Sequence, residues 1–272
     1  MTVNGYGVQW DLDAPANWYP DPSGAAAYRY WDGARWTSHI WSGPVPSYLP
    51  LGRRATVVKV LLVVYAAADL VSLGSCVARL GQLHRLMADR ASVSVAVVHA
   101  ADVRQAVTAT LPALLYVAIA VAFLAWFARA YADVRALGVQ RLRYGGGWAI
   151  LAWLIPLVNY VLPKRLADDL WKGSDPDLPS PAGERWKDVR VPGLLHAWWA
   201  VFVAANLFGT ALQLLTPGGH PTLRQIIGTT RMLAAFDLVN VVLAALAYAV
   251  VRALTARLEV RAARLSTPPG VT

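Results

Sequence analysis

Five apolar segments dominate the sequence and restrict the folds open to it. Four of them, 57–78, 107–127, 194–215 and 232–254, contain 21–23 residues. This is enough for the ~20 residues that a helix needs to cross a bilayer. The remaining segment, 147–162, has only 16 residues and contains a proline. We therefore predict an all-α integral membrane helical bundle, with four long spans plus one short broken or re-entrant segment.

Composition supports this fold class. The chain is 57% hydrophobic and only 15% charged, which lies outside the usual range for a soluble domain. Its net charge of +9 fits basic residues that flank membrane spans. Since no basic stripe with exposed aromatic residues lies outside the apolar segments, we expect no nucleic-acid partner. The single cysteine, Cys76, excludes an intramolecular disulfide.

The distribution of basic residues favours four spans over five. Lys and Arg concentrate on the cytoplasmic side of membrane proteins. If 147–162 does not cross, 18 basic residues lie inside and 6 outside, whereas the better five-span arrangement gives 14 inside and 10 outside. We therefore expect a multi-pass protein of the plasma membrane whose N- and C-termini are both cytoplasmic. Five spans, with the N-terminus outside, is the alternative.

The chain divides into four parts by composition. They are a Trp/Tyr-rich mini-module (1–40), a Pro-rich basic linker (41–55), a multi-span membrane domain (56–260) and a flexible tail (261–272). None of these parts contains a nucleophile elbow, a phosphate-binding loop or a histidine pair with metalloprotease spacing. We therefore predict no catalytic residues, no metal site and no cofactor, and we expect that the chain is not an enzyme.

Two carboxylates interrupt the apolar segments at similar depth. Asp69 lies 12 residues into its segment, or about 18 Å along a helix. Asp237 lies 15 residues before Arg252, or about 22 Å from the cytoplasmic end. Because a carboxylate is costly inside a membrane, it normally faces the interior of the bundle.

These positions predict an intramembrane polar site. It comprises Asp69, Asp237, Asn240 and Asn206, with Gln213 nearby. The functional interpretation is a site linked to proton or cation binding. The structural interpretation is that these groups are protonated or hydrogen-bonded contacts between helices, or ion pairs with Arg79 and Arg231.

A distinctive pattern begins in the second apolar segment and continues through the short one. Its residues are Trp126, Arg129, Tyr131, Arg135, Gly138, Trp148, Trp153, Pro156, Asn159 and Pro163. Over about residues 55–260 the chain resembles a membrane family found in actinobacteria, domain-of-unknown-function family 4328. The resemblance implies a multi-span architecture, and it implies no particular chemistry because the family has no established activity. Asp133 and Leu154 depart from the family pattern, which has asparagine and an aromatic residue there.

The short segment contains a candidate helix-break site formed by Pro156, Asn159 and Pro163. Proline interrupts the helical hydrogen bonds, and an asparagine side chain can bond to backbone groups that this exposes. One interpretation is a kink that satisfies its own hydrogen bonds. The other is a binding site at the break, as in transporters with discontinuous helices.

The pattern also predicts contacts near the cytoplasmic surface. Trp126, Phe127 and Tyr131 are expected at the membrane interface, where aromatic residues concentrate. Arg129 and Arg135 are expected to contact lipid phosphates or to cap the broken segment.

The N-terminal residues carry a second, shorter pattern. It consists of Trp18, Tyr19, Pro20, Asp21, Pro22 and Gly24, followed by Trp31, Asp32, Gly33 and Trp36. Over about residues 16–38 it closely resembles domain-of-unknown-function family 2510. Asp32-Gly33 between aromatic runs predicts a β-hairpin. We expect Trp18, Tyr30 and Trp36 to stack into a miniature core.

The mini-module has two interpretations. It is either a structural knob beside the membrane or a module, loosely similar to a WW domain, that binds a proline-rich peptide. With the second interpretation, the chain is a membrane-embedded interaction or scaffold protein that recruits a cytoplasmic protein. The alternative is a small transporter or channel that uses Asp69, Asp237 and the break at Pro156 and Asn159. The lipid bilayer is the expected partner of the spans, and homo-oligomerisation stays open.

Overall fold

The computed structural model shows a small β-sheet module followed by a helical membrane domain. It describes residues 2–3, 9–10, 14–41, 48–89, 95–139, 141–216, 218 and 221–266. Strands β1 (Thr2–Val3) and β2 (Gln9–Trp10) pair antiparallel. A three-stranded antiparallel sheet contains β3 (Asn17–Pro20), β4 (Tyr28–Trp31) and β5 (Trp36–Trp41), in that order.

Four of the described helices are long and apolar enough to cross a membrane. They are α1 (Gly52–Ala88), α2 (Val95–Ala136), α5 (Gly193–Leu215) and α6 (Leu223–Ser266). Between α2 and α5 lie the short helices α3 (Trp148–Leu154) and α4 (Leu162–Gly173), with 3₁₀ turns at Val158–Tyr160 and Arg185–Asp188. The seven residues of α3 cover only about 10 Å, far less than a bilayer core. The predicted bundle of four long spans with one broken segment is confirmed.

The two ends of the membrane domain lie together. Gly52, at the start of α1, lies beside the Glu259 side chain near the end of α6. The Trp41 indole donates a hydrogen bond to the Leu265 carbonyl oxygen (3.1 Å), which joins the sheet to the same end. The helix α6 continues to Ser266, so the predicted boundary at residue 260 falls inside it. Pro44 and Pro46 of the linker, and residues 267–272 of the tail, lie outside the described residues.

The long helices form a row rather than a closed square. Contacts are most extensive between α1 and α6, while α2 packs on α1 and α5 packs on α6. This arrangement leaves a gap between α2 and α5. On one side, α3 fills the gap through Trp153, whose ring contacts Phe123 of α2 (5.1 Å between centroids) and Phe202 of α5 (5.8 Å).

A buried arginine fixes the end of α6 to its surroundings. The Arg261 side chain is completely buried. Its guanidinium donates to four carbonyl oxygens, those of Asp175 (2.7 Å), Leu178 (2.9 Å), Leu137 (2.9 Å) and Pro179 (3.2 Å). One turn earlier, Arg257 binds the Asp175 carboxylate (2.9 Å) and lies over the Trp171 ring. Arg261 therefore connects α6 to the end of α2 and to the loop after α4.

Candidate functional site

A cavity of about 560 Å³ occupies the gap between α2 and α5. All four residues of the predicted polar site line it: Asp69 from α1, Asn206 from α5, and Asp237 and Asn240 from α6. Asp69 is 1% exposed and Asp237 is 7% exposed. Gln213 also lines the cavity. The structure thus brings polar side chains from three helices to one cavity, in which Asp69, Asp237 and Asn240 are buried and Asn206 is half-buried.

The two carboxylates make polar contacts with α1. Tyr65 forms a side-chain hydrogen bond with Asp69, whose Oδ2 atom has no hydrogen-bond partner among the described residues. Ser72 bonds to Asp237, and the Cys76 sulfur lies 3.9 Å from Asp237 Oδ2. These are neutral partners that leave the negative charge of an ionised pair uncompensated.

Arg231 was one of the two arginines predicted to form ion pairs with the carboxylates. The guanidinium of Arg231 lies 3.3 Å from the His84 ring nitrogen, near the end of α6 away from Arg261. None of the described residues that line the cavity is lysine, arginine or histidine. The lining itself therefore provides no positive charge for Asp69 and Asp237.

The sequence prediction missed Tyr65 and Ser72, which line this cavity, and Cys76, which contacts Asp237. Tyr65, Ser72 and Cys76 are spaced with Asp69 at steps of four, three and four residues. That spacing places them on one stripe of α1, so the sequence alone could have predicted that they lie beside Asp69. From α2, Pro112 and Tyr116 complete the wall. Nothing local in the sequence relates these two residues to Asp69 or Asp237.

A second cavity of about 220 Å³ adjoins the first. Asn159 and Trp153 of the broken segment line it. Among the described residues, six line both cavities: Tyr65, Tyr116, Phe202, Asn206, Asn240 and Leu243. The predicted polar site and the predicted break site are therefore neighbours.

Several backbone groups at the helix break form hydrogen bonds with each other. The Val158 amide donates to the Pro156 carbonyl oxygen (2.8 Å), and the Asn159 amide donates to the Ile155 carbonyl oxygen (3.0 Å). Pro163 lies in the first turn of α4, where proline is well tolerated. The Asn159 Oδ1 atom is buried and has no hydrogen-bond partner in the described part of the chain. Of the three predicted break residues, Asn159 is therefore the one that has an unsatisfied buried acceptor.

The residues of the longer pattern form a protein core. Trp126, Phe127 and Tyr131 are completely buried or nearly so, and the Trp126 indole donates to the Thr255 hydroxyl (3.1 Å). Protein therefore covers these rings, with Phe127 packed against Trp153 of α3 (5.7 Å between centroids), and their position at the membrane interface stays a prediction. Trp148, in contrast, is 38% exposed.

The two arginines of this pattern bind protein groups. Arg129 pairs with Asp133, which also accepts a hydrogen bond from the Leu49 amide (3.3 Å). Arg135 donates to the Tyr144 carbonyl oxygen (2.5 Å), just before α3 begins. Of the two predicted roles for Arg135, the geometry favours capping the broken segment.

Asp169 is a buried acidic residue that contacts the loop before α3. The Asp169 carboxylate of α4 lies 3.2 Å from Arg143. Burial raises the pKa of Asp169 to about 6, although Arg143 opposes the shift. This pair is structural in character, since it joins α4 to the loop before α3 and lines neither cavity.

The mini-module has two aromatic faces. Trp18 packs against Tyr30 (5.4 Å between centroids) and Trp41 (6.4 Å). Trp36 packs against Trp31 (5.3 Å) and Tyr19 (6.3 Å). Because successive strand residues point to opposite faces, Trp18 and Tyr19 belong to different faces. The prediction of one core containing Trp18, Tyr30 and Trp36 is therefore wrong for Trp36.

Two aspartates organise the turns of the mini-module. Asp32 accepts hydrogen bonds from the Ala34 and Arg35 amides (2.9 and 2.8 Å), and Gly33 adopts a left-handed backbone. This forms the predicted hairpin between β4 and β5. Asp21, in the turn with Pro22 and Gly24, binds Arg29 (2.8 Å). Arg29 holds the pKa of Asp21 far below its usual range, and the sequence prediction did not include this arginine.

Comparison with known proteins gives the family. The model of a family described as Domain of unknown function (DUF4328) matches residues 89–256, which is more than half of the chain. The chain belongs to the DUF4328 family. A family described as Protein of unknown function (DUF2510) matches residues 16–47. No curated protein and no solved structure matches the chain.

The matched ranges refine the sequence prediction. The DUF4328 match begins at residue 89, after α1, rather than near residue 55. Asp69 therefore lies outside the matched region of this DUF4328 protein, while Asp237 and Asn240 lie inside it. Within the described residues, no group of three or more His, Cys, Asp or Glu side chains is placed to hold a metal ion.

Proposed function

We propose that this DUF4328 protein is a small membrane carrier that binds a cation or a proton at Asp69 and Asp237. One observation carries the proposal: two buried carboxylates from different spans line the same cavity. Two ionised carboxylates in a medium of low dielectric repel each other and lose their hydration, at a cost of several kcal/mol each. A bound cation or proton offsets that cost.

The surroundings of the pair support a binding role. Its titratable neighbours are Tyr65 and Cys76 from α1 and Tyr116 from α2, while the polar lining contributed by α5 is uncharged. The adjoining cavity extends from this site to Asn159 at the break. Transporters often place their binding sites where interrupted helices meet a cavity. This role needs no catalytic group.

We further propose that the end containing Trp41 and Ser266 is cytoplasmic and that the membrane is the plasma membrane. Basic residues concentrate near this end, among them Arg54, Arg143 and Arg257. Cytoplasmic flanks of spans carry such an excess.

Replacing both carboxylates is expected to abolish ion movement. Full-length protein in liposomes would be given a proton gradient, followed with an internal pH-sensitive dye, and then a Na⁺ or K⁺ gradient, followed with an internal dye selective for that cation. We expect wild-type flux several-fold above that of empty liposomes. Asp69→Asn/Asp237→Asn should return it to the empty-liposome rate, because neither amide can bind a proton or balance a cation.

The matched control is Asp188→Asn, which removes a carboxylate from an exposed position outside both cavities. It should transport at the wild-type rate. Wild-type flux no faster than that of empty liposomes, or an unaltered double variant, would contradict the proposal.

Recruitment by the mini-module is the second candidate function. Tyr19 and Trp36 are partly exposed and pack edge-to-face on the side of the sheet opposite Trp41. Aromatic grooves of this type bind proline-rich peptides, because such peptides lose little entropy on binding. A cytoplasmic partner with a proline-rich segment is therefore the expected ligand.

This candidate predicts that a fluorescent decaproline peptide binds the full-length protein in nanodiscs. We expect Trp36→Ala to weaken binding up to about tenfold, since an aromatic contact contributes ~0.5–1.5 kcal/mol beyond the area that it buries. The measurement is fluorescence anisotropy, and Trp148→Ala, which removes an exposed tryptophan of α3, should bind as wild type does. Equal affinity of all three proteins would eliminate the mini-module as the binding site.

A further inference from the structure

We propose that the cavity binds a lipophilic organic cation, one that carries a single shielded positive charge on aromatic or alkyl groups. This inference rests on the proposed function of Asp69 and Asp237, because their charge attracts the ligand. Its starting point is the size of the space. The main cavity is about 560 Å³, within the ~300–1,000 Å³ that small-molecule sites occupy.

The walls combine negative charge with aromatic surface. Each of the four long helices contributes one or more rings: Tyr65 from α1, Tyr116 from α2, Phe202 from α5 and Phe236 from α6. The face of an aromatic ring attracts cations, and this attraction is strongest when the cation is desolvated. A cation with apolar substituents can use the rings and both carboxylates together.

A small metal ion fits these walls poorly. Calcium takes about six to eight oxygen ligands within ~2.6 Å, and protein ligands in that arrangement would close the space around the ion. The lining instead spreads two carboxylates and three side-chain amides, those of Asn206, Gln213 and Asn240, over a wide cavity. An anion is excluded by charge, because the described lining contains two carboxylates and no basic residue.

The ring of Phe236 is held in place by its neighbours on α5. It packs edge-to-face against Phe208 (5.7 Å between centroids). Gly209 lets the ring approach the backbone, since a Cβ atom there would lie 3.3 Å from the ring. A fixed ring loses little entropy when a ligand binds, so it suits a cation–π contact.

The position of the cavity suits ligands that dissolve in the bilayer. It lies in the gap between α2 and α5, where the row of helices does not close. Pro112 of α2 lines the cavity and interrupts the hydrogen-bond ladder of that helix. Lipophilic cations partition into membranes and can reach such a gap from the side.

The test is equilibrium binding of radiolabelled tetraphenylphosphonium to the full-length protein in nanodiscs, with empty nanodiscs subtracted. We expect saturable binding that Asp69→Asn and Asp237→Asn each weaken about tenfold or more. Phe236→Leu leaves both carboxylates in place and should weaken binding about three- to tenfold, as the loss of a desolvated cation–π contact predicts. Asp188→Asn should bind as wild type does.

Tetraphenylborate, an anion of the same shape, is the matched control ligand. Saturable binding of the cation alone supports the proposal, whereas equal binding of both ions, or unaltered binding in both carboxylate variants, overturns it. If the cation does not bind while ion flux still requires Asp69 and Asp237, the ligand class is wrong and the carrier proposal stands. If binding and flux are both absent, both proposals fail.

Discussion

Arg261→Met is expected to lower the free energy of unfolding of the membrane domain by about 3–5 kcal/mol. The guanidinium of Arg261 is completely buried and donates to four carbonyl oxygens from two separate parts of the chain. Methionine fills a similar volume but donates no hydrogen bond. Each buried carbonyl left without a donor costs ~1–3 kcal/mol unless water reaches it, so the loss exceeds that of an ordinary surface substitution.

The measurement is thermal unfolding of the purified full-length protein in detergent, followed by tryptophan fluorescence. Arg264→Met is the matched control, because Arg264 makes an exposed ion pair with Asp177 that is worth at most ~1 kcal/mol. Arg261→Lys should be nearly as unstable as Arg261→Met, since one ammonium group cannot reach all four carbonyl oxygens. Similar melting temperatures for Arg261→Met and Arg264→Met would show that the buried hydrogen bonds contribute little.

Arg261 also shows why the sequence prediction failed at the end of α6. The predicted flexible tail began at residue 261, whereas α6 continues to Ser266. The carbonyl oxygens that bind Arg261 belong to residues 82–124 positions away. No local pattern records such distant acceptors, so the burial of this arginine is visible only in the folded chain.

Patterns of hydropathy and charge along the sequence did predict the architecture. The apolar segments and the uneven distribution of basic residues gave four spans and a broken third segment. Helix lengths were predicted less well: α1, α2 and α6 contain 37, 42 and 44 residues. Hydropathy detects only the apolar part of a helix, whereas intrahelical hydrogen bonds continue into its polar ends.

The candidate site was partly predictable for a similar reason. Depth along each helix can be counted from the sequence, and this placed Asp69 and Asp237 at one level. The rotation of α2 and α5 about their axes depends on packing, so Tyr116 and Pro112 could not be assigned to the cavity. In the mini-module, strand alternation separates Trp18 from Tyr19, but it does not reveal the register that pairs Trp31 with Trp36.

Gly138→Ala should destabilise the membrane domain by about 2–4 kcal/mol. Gly138 has φ +87, a left-handed conformation that costs other residues ~1–2 kcal/mol. A Cβ atom at this position would overlap Ser180 Oγ and lie 3.2 Å from Ser180 Cβ and 3.4 Å from Ser180 Cα, so the hydroxyl must rotate away and the loop after α4 must shift slightly. Overpacking of this kind costs a further ~1–3 kcal/mol.

The displacement should spread beyond residue 138 because two other contacts converge there. The Gly138 carbonyl oxygen accepts a hydrogen bond from the Ala182 amide (3.0 Å), and the adjacent Leu137 carbonyl oxygen binds Arg261. Gly145→Ala is the control, since no atom lies within 4 Å of its added Cβ. Thermal unfolding of Gly138→Ala and Gly138→Ala/Ser180→Gly separates the cost of the left-handed backbone from the cost of the steric overlap with Ser180. The double variant should recover the steric part and keep the backbone part, whereas equal stability of all four proteins would mean that the loop adapts freely to the extra atom.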